Sequence, residues 1–296
     1  MKKIDIHCHV NAFPEFSSTA PNGKRMLSAE EQLDVFDEFN IEHGVILPLV
    51  SPEAQWVPLS NNDAQYIVAK YPERFSWFCN VDPRQGGYSE KTDLSHIIGQ
   101  YKEKGAKGLG ELTATLYADD PMMQNLFGAC AELDMPVIIH ISPKPGKGYG
   151  IIDDLGLPRI EKMLKKFPDL KLIGHSTCFW SELSGDVTDE TRGSYFEKGT
   201  IKEGRVAKLM REYGNLYCDI SAGSGSRAMM SDAEYTAKFI EEFSDRIFFG
   251  TDVTSPGKVY PQNLDNFLIN LCDNGMISRE NYEKIIRKNA EKLLGL

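Results

Sequence analysis

A short β-branched run followed by an amphipathic stretch recurs eight times along the 296 residues. The runs are 3–8 (KIDIHC), 44–50, 75–81, 106–112, 136–141, 170–176, 215–221 and 246–252, each bounded by turn residues as strands are. Apolar residues at helical spacing fill 28–40, 61–71, 93–104, 121–133, 158–167, 202–213, 231–243 and 278–294. Strands of a parallel barrel, buried on both faces, should be mainly apolar and β-branched rather than alternating, and they need a crossover between them. The repeat therefore predicts a (β/α)8 TIM barrel spanning 1–296 as a single domain, with a doubly wound open sheet as the alternative. No glycine-rich dinucleotide turn follows the early strands, and no Pro-, Gly- or Ser-rich linker divides the chain. The longest irregular stretches, 11–27, 51–60, 142–154 and 177–200, follow strand ends, where a barrel carries its substrate loops.

Charge narrows the partners. With 33 basic against 43 acidic residues the net charge is −10, and no run of lysines or arginines offers a footprint for a phosphate backbone. Nucleic acid is not an expected partner; a small-molecule substrate is, and homo-oligomerisation stays open. No apolar run reaches the length of a bilayer span, so no membrane association is expected. Asp5, His7 and His9 interrupt what would be the apolar core of a secretory leader, and the six cysteines stand singly. Both features fit reduced thiols in a cytoplasmic protein.

Four of the six histidines fall at or beside the carboxyl ends of expected strands: His7, His9, His140 and His175. Side chains two apart along a strand share a face, so His7 and His9 offer two imidazoles to one ion while Cys8 turns away. Glu111 ends the fourth strand and Asp252 the eighth. A barrel brings these six groups to one rim as a mixed nitrogen and oxygen set for one or two divalent cations, Zn2+ first and Mn2+ as the alternative. A histidine pair at this spacing is by itself more often accidental; coincidence at six strand ends is harder to explain as satisfied core histidines and solvated carboxylates. His43, ahead of the second strand, and His96, in a helical pattern, read as structural. Lys107 shares the parity of Glu111 and reads as the buried partner of an acid, with a carboxylated ligand as the alternative. Phe179 and Trp180 would line a pocket or anchor a loop, and Ser224 and Arg227 belong to a solvated loop unless they hold a substrate anion.

The segments IDIHCH, MPVIIH, FPDLKLIGHS, GNLYCDIS, RIFFGTD and RKNAEKLLGL, in this order, resemble the amidohydrolase superfamily. Within it they are similar to the amidohydrolase-related family that also contains aminocarboxymuconate-semialdehyde-type decarboxylases. The resemblance covers essentially the whole chain. It implies metal ligation by His7, His9, Asp252 and His140, and for His175 either a second metal or a catalytic role. Glu111 departs from the decarboxylase branch, which typically holds one metal without a strand-four carboxylate, and looks like the bridging glutamate of TatD-type deoxyribonucleases and some two-metal hydrolases. The expected activity is a metal-dependent hydrolase of a small ester, lactone or amide, with Asp252 as acid and base. A non-oxidative decarboxylase is the alternative, followed by a TatD-like phosphodiesterase and a catalytically silent metal-binding barrel.

Overall fold

The structure, a computed structural model, describes residues 1–54, 56–197, 199–257 and 262–296. Eight parallel strands follow one another: β1 (Lys3–Cys8), β2 (Ile41–Ile46), β3 (Phe75–Trp77), β4 (Leu109–Leu112), β5 (Val137–Ser142), β6 (Leu172–His175), β7 (Leu216–Asp219) and β8 (Ile247–Phe248). Neighbours in sequence are neighbours in the sheet from β1 to β3 and from β4 to β8. Bonds from Cys79 N to Gly108 O (2.9 Å) and from Gly110 N to Cys79 O (2.8 Å) join the third strand's continuation to the fourth. Ile6 N donates to Phe249 O (3.1 Å) and Asp252 N to His7 O (3.0 Å), joining the first strand to the eighth. The fold is a TIM barrel.

The outer helices are α1 (Ala29–Glu38), α2 (Asn61–Lys70), α3 (Leu94–Glu103), α4 (Pro121–Glu132), α5 (Pro158–Lys166), α6 (Arg205–Glu212), α7 (Ala233–Phe243) and α8, which runs from Arg279 through a π-helical turn at Lys284–Lys288 to Leu294. Their starts follow capping chemistry. Ser28 and Ser60 form capping boxes with Glu31 and Asp63, and Asp93 and Asp120 accept backbone N–H groups at α3 and α4.

Several ladders are shorter than the sequence suggests. Regular pairing in the 75–81 run ends at Trp77, in the 246–252 run at Phe248, and β2 starts at Ile41 and not at 44, which places His43 inside it. Past these points side chains take over the backbone groups: Asn80 Nδ2 donates to Pro48 O (2.6 Å) and Glu111 O (2.7 Å), while Thr251 N donates to Asp5 Oδ1 (2.9 Å). Three helices were not expected: Thr177–Ser181, Ala222–Ser231 and Gln262–Asp273. The second contains AGSGSR, whose glycines and serines are poor helix formers, so burial of Ala228 and Met229 outweighs local propensity.

Two apolar layers hold the barrel. The outer one joins strands to helices and includes Val137, Ile139, Leu172, Leu216, Cys218 and Ile247. The inner one fills the cylinder with Ile4, Ile6, Val45, Leu47, Phe78, Ile138, Ile173 and Phe248. On β5, β6 and β7 the residue two places beyond an inward apolar side chain is polar: Ile138 is followed by His140, Ile173 by His175 and Tyr217 by Asp219. Strand periodicity thus stacks a polar layer directly on a hydrocarbon plug.

Candidate metal centre

On β1 the alternation has to break to bring histidine inward, because Ile4 and Ile6 already face the inner core. The ladder with β2 shifts register between Asp5 and Cys8, and Asp5 Oδ1 accepts the His7 N–H at 2.9 Å. Past this irregularity Cys8 joins the outer layer and His7 turns to the axis. On β4 a similar shift between Leu109 and Leu112 accompanies the inward placement of Glu111. His140 and His175 need no such device and are direct register partners across β5 and β6.

All six residues expected from the sequence converge. His7 Nε2 and His9 Nε2 lie 3.1 Å apart. Glu111 Oε2 is 3.4 Å from His9 Nε2 and 3.9 Å from His7 Nε2, while its Oε1 is 3.8 Å from His175 Nε2. Asp252 Oδ1 is 3.9 Å from His7 Nε2 and 3.8 Å from His9 Nε2. It is held there by a left-handed backbone (φ 53°) at the turn leaving the eighth strand. Three groups have ligand atoms mutually within 4.8 Å: His7, His9 and Glu111; His7, His175 and Asp252; and Glu111, His140 and His175.

Each imidazole is fixed from behind. Nδ1 of His7 faces Asp219 Oδ2 (2.6 Å), that of His9 faces Leu47 O (2.9 Å), and that of His140 faces Tyr149 O (2.9 Å). Nδ1 of His175 stands 3.1 Å from the same Asp219 oxygen. With Nδ1 of each ring engaged from behind, Nε2 is the nitrogen that would meet a cation, after loss of a proton in the case of His7. Glu111 Oε1, fully buried, has no hydrogen-bond partner, a costly state for a carboxylate oxygen that a bound cation would relieve. The residues present therefore fit a divalent ion.

The electrostatics of the cation-free cage agree. Burial disfavours the His7 imidazolium, but Asp252, Asp219 and Glu111 outweigh it and raise its pKa to about 10. Burial also opposes ionisation of Glu111, yet its contact with His9 and the field of the other imidazoles hold it well below the usual carboxylate range. Burial pushes His140 down to about 4. A group whose folded pKa is raised stabilises fully below its ordinary value, near 6.5 for His7, and loses that contribution as pH climbs towards 10. In chelator the protein should accordingly lose stability as pH rises from 7 towards 10. Zn2+ binding at pH 7 should release about one proton, read by calorimetry in buffers of different ionisation enthalpy. A midpoint of denaturation that does not fall over this range would contradict the charge assignment.

Asp219 was not singled out from the sequence. Its signal was there, since it ends β7 two residues beyond inward-facing Tyr217, the alternation that marks His140 and His175. Other expectations are corrected. Lys107 is exposed, lies before β4 begins and lines a cavity of about 240 Å³ with Asp134, Lys171 and Lys292 at the opposite end of the barrel, so it is neither a buried partner nor a ligand. Phe179 and Trp180 are buried; Phe179 packs on Gly174 and Trp180 Nε1 donates to Asp219 O (3.0 Å). Ser224 and Arg227 lie on a helix and not in a solvated loop; Ser224 is buried and Arg227 stacks over Tyr195. His43 bonds to Glu73 O and Ser76 Oγ, and His96 to Gln100, away from the centre.

The rim around the cage is uneven. His7, His9, Glu111 and His175 are sealed, whereas the Asp252 side chain is 20% exposed and His140 is half-buried beneath the Tyr149 ring (centroids 4.2 Å apart). Gly150 (φ +113°) makes that cover possible, since a Cβ there would lie 2.4 Å from His140 O. Among the described residues no helix is long and apolar enough to cross a membrane.

Solved structures of the same architecture are distant in sequence. A 2,6-dihydroxybenzoate decarboxylase from Rhizobium aligns with TM-score 0.64 and 17% identity over 100% of this chain and 99% of that one. A dihydroxybenzoic acid decarboxylase from Polaromonas sp. JS666, with bound manganese and 2-nitroresorcinol, gives 0.60 and 19% over 100% and 97%. A probable 2-pyrone-4,6-dicarboxylic acid hydrolase from Acinetobacter baumannii gives 0.61 and 12% over the full length of both. No curated protein matches the sequence. The model of the amidohydrolase family matches residues 4–296, and the chain belongs to that family.

Proposed function

We propose that the protein is a metal-dependent hydrolase of a small ester, lactone or amide, holding its cation through His7, His9, Glu111, His140, His175 and Asp252. The observation that carries this reading is Glu111, which presents one oxygen to the His7 and His9 pair and the other to His175, so that it would serve both ligand groups if two cations were held. Zn2+ suits the donor set, with Mn2+ as the alternative. When bound, such a cation supplies Lewis acidity, polarising a carbonyl and making water acidic near neutral pH.

The chain's own groups divide the remaining work. Asp252, the acid of the cage open to solvent, takes the proton from the attacking water and returns it to the leaving group. Asp219 and the carbonyls of Leu47 and Tyr149 keep the imidazoles oriented throughout. Substrate enters on the Asp252 and His140 side, where the cage is open. If a single cation suffices, His175 orients the water or meets oxyanion charge. The second reading is a non-oxidative decarboxylase, favoured by the two decarboxylases among the similar structures.

One experiment separates them. Protein loaded with Zn2+ or Mn2+ is offered esters, lactones, amides, phosphodiesters and aromatic carboxylic acids, while acid production and carbon dioxide are followed together. Hydrolysis of an ester or lactone consumes titrant without carbon dioxide, and amide hydrolysis is followed as amine release. Carbon dioxide from an aromatic acid instead would replace the hydrolase reading, and loaded protein inert to every class would point to a silent barrel.

A further inference from the structure

The four imidazoles of the cage are not anchored independently. His9 and His140 each rest on a separate backbone carbonyl, whereas His7 Nδ1 bonds Asp219 Oδ2 (2.6 Å) and His175 Nδ1 stands 3.1 Å from that same oxygen and 3.3 Å from Ser221 Oγ. Ser221 Oγ donates to the same oxygen (2.8 Å) and Ser221 N to Oδ1 (2.8 Å), so the carboxylate cannot turn to favour one ring. Asp219 is fully buried, and the His7 and His175 ring centroids are 4.4 Å apart. His7 belongs to the group with His9 and Glu111, His175 to the group with Glu111 and His140, and the two stand together with Asp252 in the third. A single acid behind the cage therefore reaches a member of all three candidate ligand groups.

We infer that Asp219 is a shared positioning residue that presets His7 and His175 together with Nε2 towards the cation, so that the ligand groups holding either ring gain or lose cation affinity jointly. The inference rests on the metal-centre reading above and extends it, because it assigns to a residue outside the ligand set the coupling between its two halves. Each ring needs its proton on Nδ1 to bond the carboxylate, which leaves Nε2 unprotonated and aimed at the ion. Removing the acceptor frees both rings to rotate and to exchange tautomers. An acid that merely filled a buried position on β7 would change folding stability and leave affinity alone.

The test uses Zn2+ alone as probe, in competition with a chelator of known affinity. Asp219→Asn keeps the shape but replaces one acceptor oxygen by a donor, and should weaken Zn2+ binding by about 10- to 100-fold. Made in a His175→Ala background, the same change should still cost about tenfold, because His7 depends on Asp219 as well. Unchanged affinity in folded Asp219→Asn overturns the proposal; so does a cost that vanishes without His175, since Asp219 would then serve one ring. Thermal unfolding in EDTA reports whether the variants fold. Should they not, nitrogen-15 spectra of the Zn2+-loaded wild type decide, with protonated Nδ1 expected on both His7 and His175 and ligation through Nδ1 of either counting against it. Wild-type protein that binds no Zn2+ would overturn the metal-centre reading itself, and is recognised before any variant is made.

Discussion

Asp252→Asn should lower turnover by about 10²–10⁴-fold at saturating cation, the range lost when a positioned acid–base group is removed. Asparagine is the least disturbing replacement available. Asp252 has a left-handed backbone, φ 53°, a conformation that Asn tolerates far better than most residues, and its N–H bond to His7 O belongs to the backbone. The loop should keep its course while the carboxylate loses its capacity to accept a proton. Cation affinity should also fall, because Asp252 stands with His7 and His175 as a potential ligand. Rate must therefore be measured at cation concentrations that saturate the variant, alongside its thermal midpoint. A variant that turns over within tenfold of wild type, on whichever substrate the screen identifies, would remove Asp252 from the chemistry.

Glu111→Gln carries the second large effect. Its two oxygens face different histidines, and a neutral amide can offer one oxygen where the carboxylate offers two. Elemental analysis after dialysis should find about two equivalents of cation on the wild type and about one on the variant. Stability in chelator should suffer too. Glu111 is held well below the usual carboxylate range, so its contribution is present above about pH 4.5 and is lost as pH falls through its depressed value. At pH 7 the variant leaves the buried His7 charge with one acid fewer, Asp219 and Asp252 remaining, so stability in chelator should fall. Two equivalents retained, with unchanged stability, would mean that Glu111 bridges nothing.

The barrel, and the convergence of six residues at one candidate centre, could be read from the sequence because strand identity and strand ends are what periodicity reports best. His140 and His175 project where simple alternation puts them, two residues above Ile138 and Ile173. His7 is a subtler case. Its i, i+2 spacing from His9 does bring the two rings together, but the inward turn depends on a register shift after Asp5 that no spacing rule reveals. Lys107 shows the opposite failure. Parity was counted below the point where the strand begins at Leu109, and outside a strand parity has no meaning. Asp219 escaped because aspartate at a strand end usually reads as a cap, and what distinguishes it is two imidazoles contributed by β1 and β6. The helix at Ala222–Ser231 escaped because its stability is tertiary.

The pairing of Ile138 with His140, Ile173 with His175 and Tyr217 with Asp219 has a consequence for how such a molecule can diversify. Cohesion is vested in one rung of each staircase and the candidate centre in the rung above it. Point changes confined to the upper rung can rewrite which bond is cut without dismantling the scaffold, whereas a polar intruder one step lower would threaten the whole. A chain organised in this way is free to explore new chemistry in small, survivable moves.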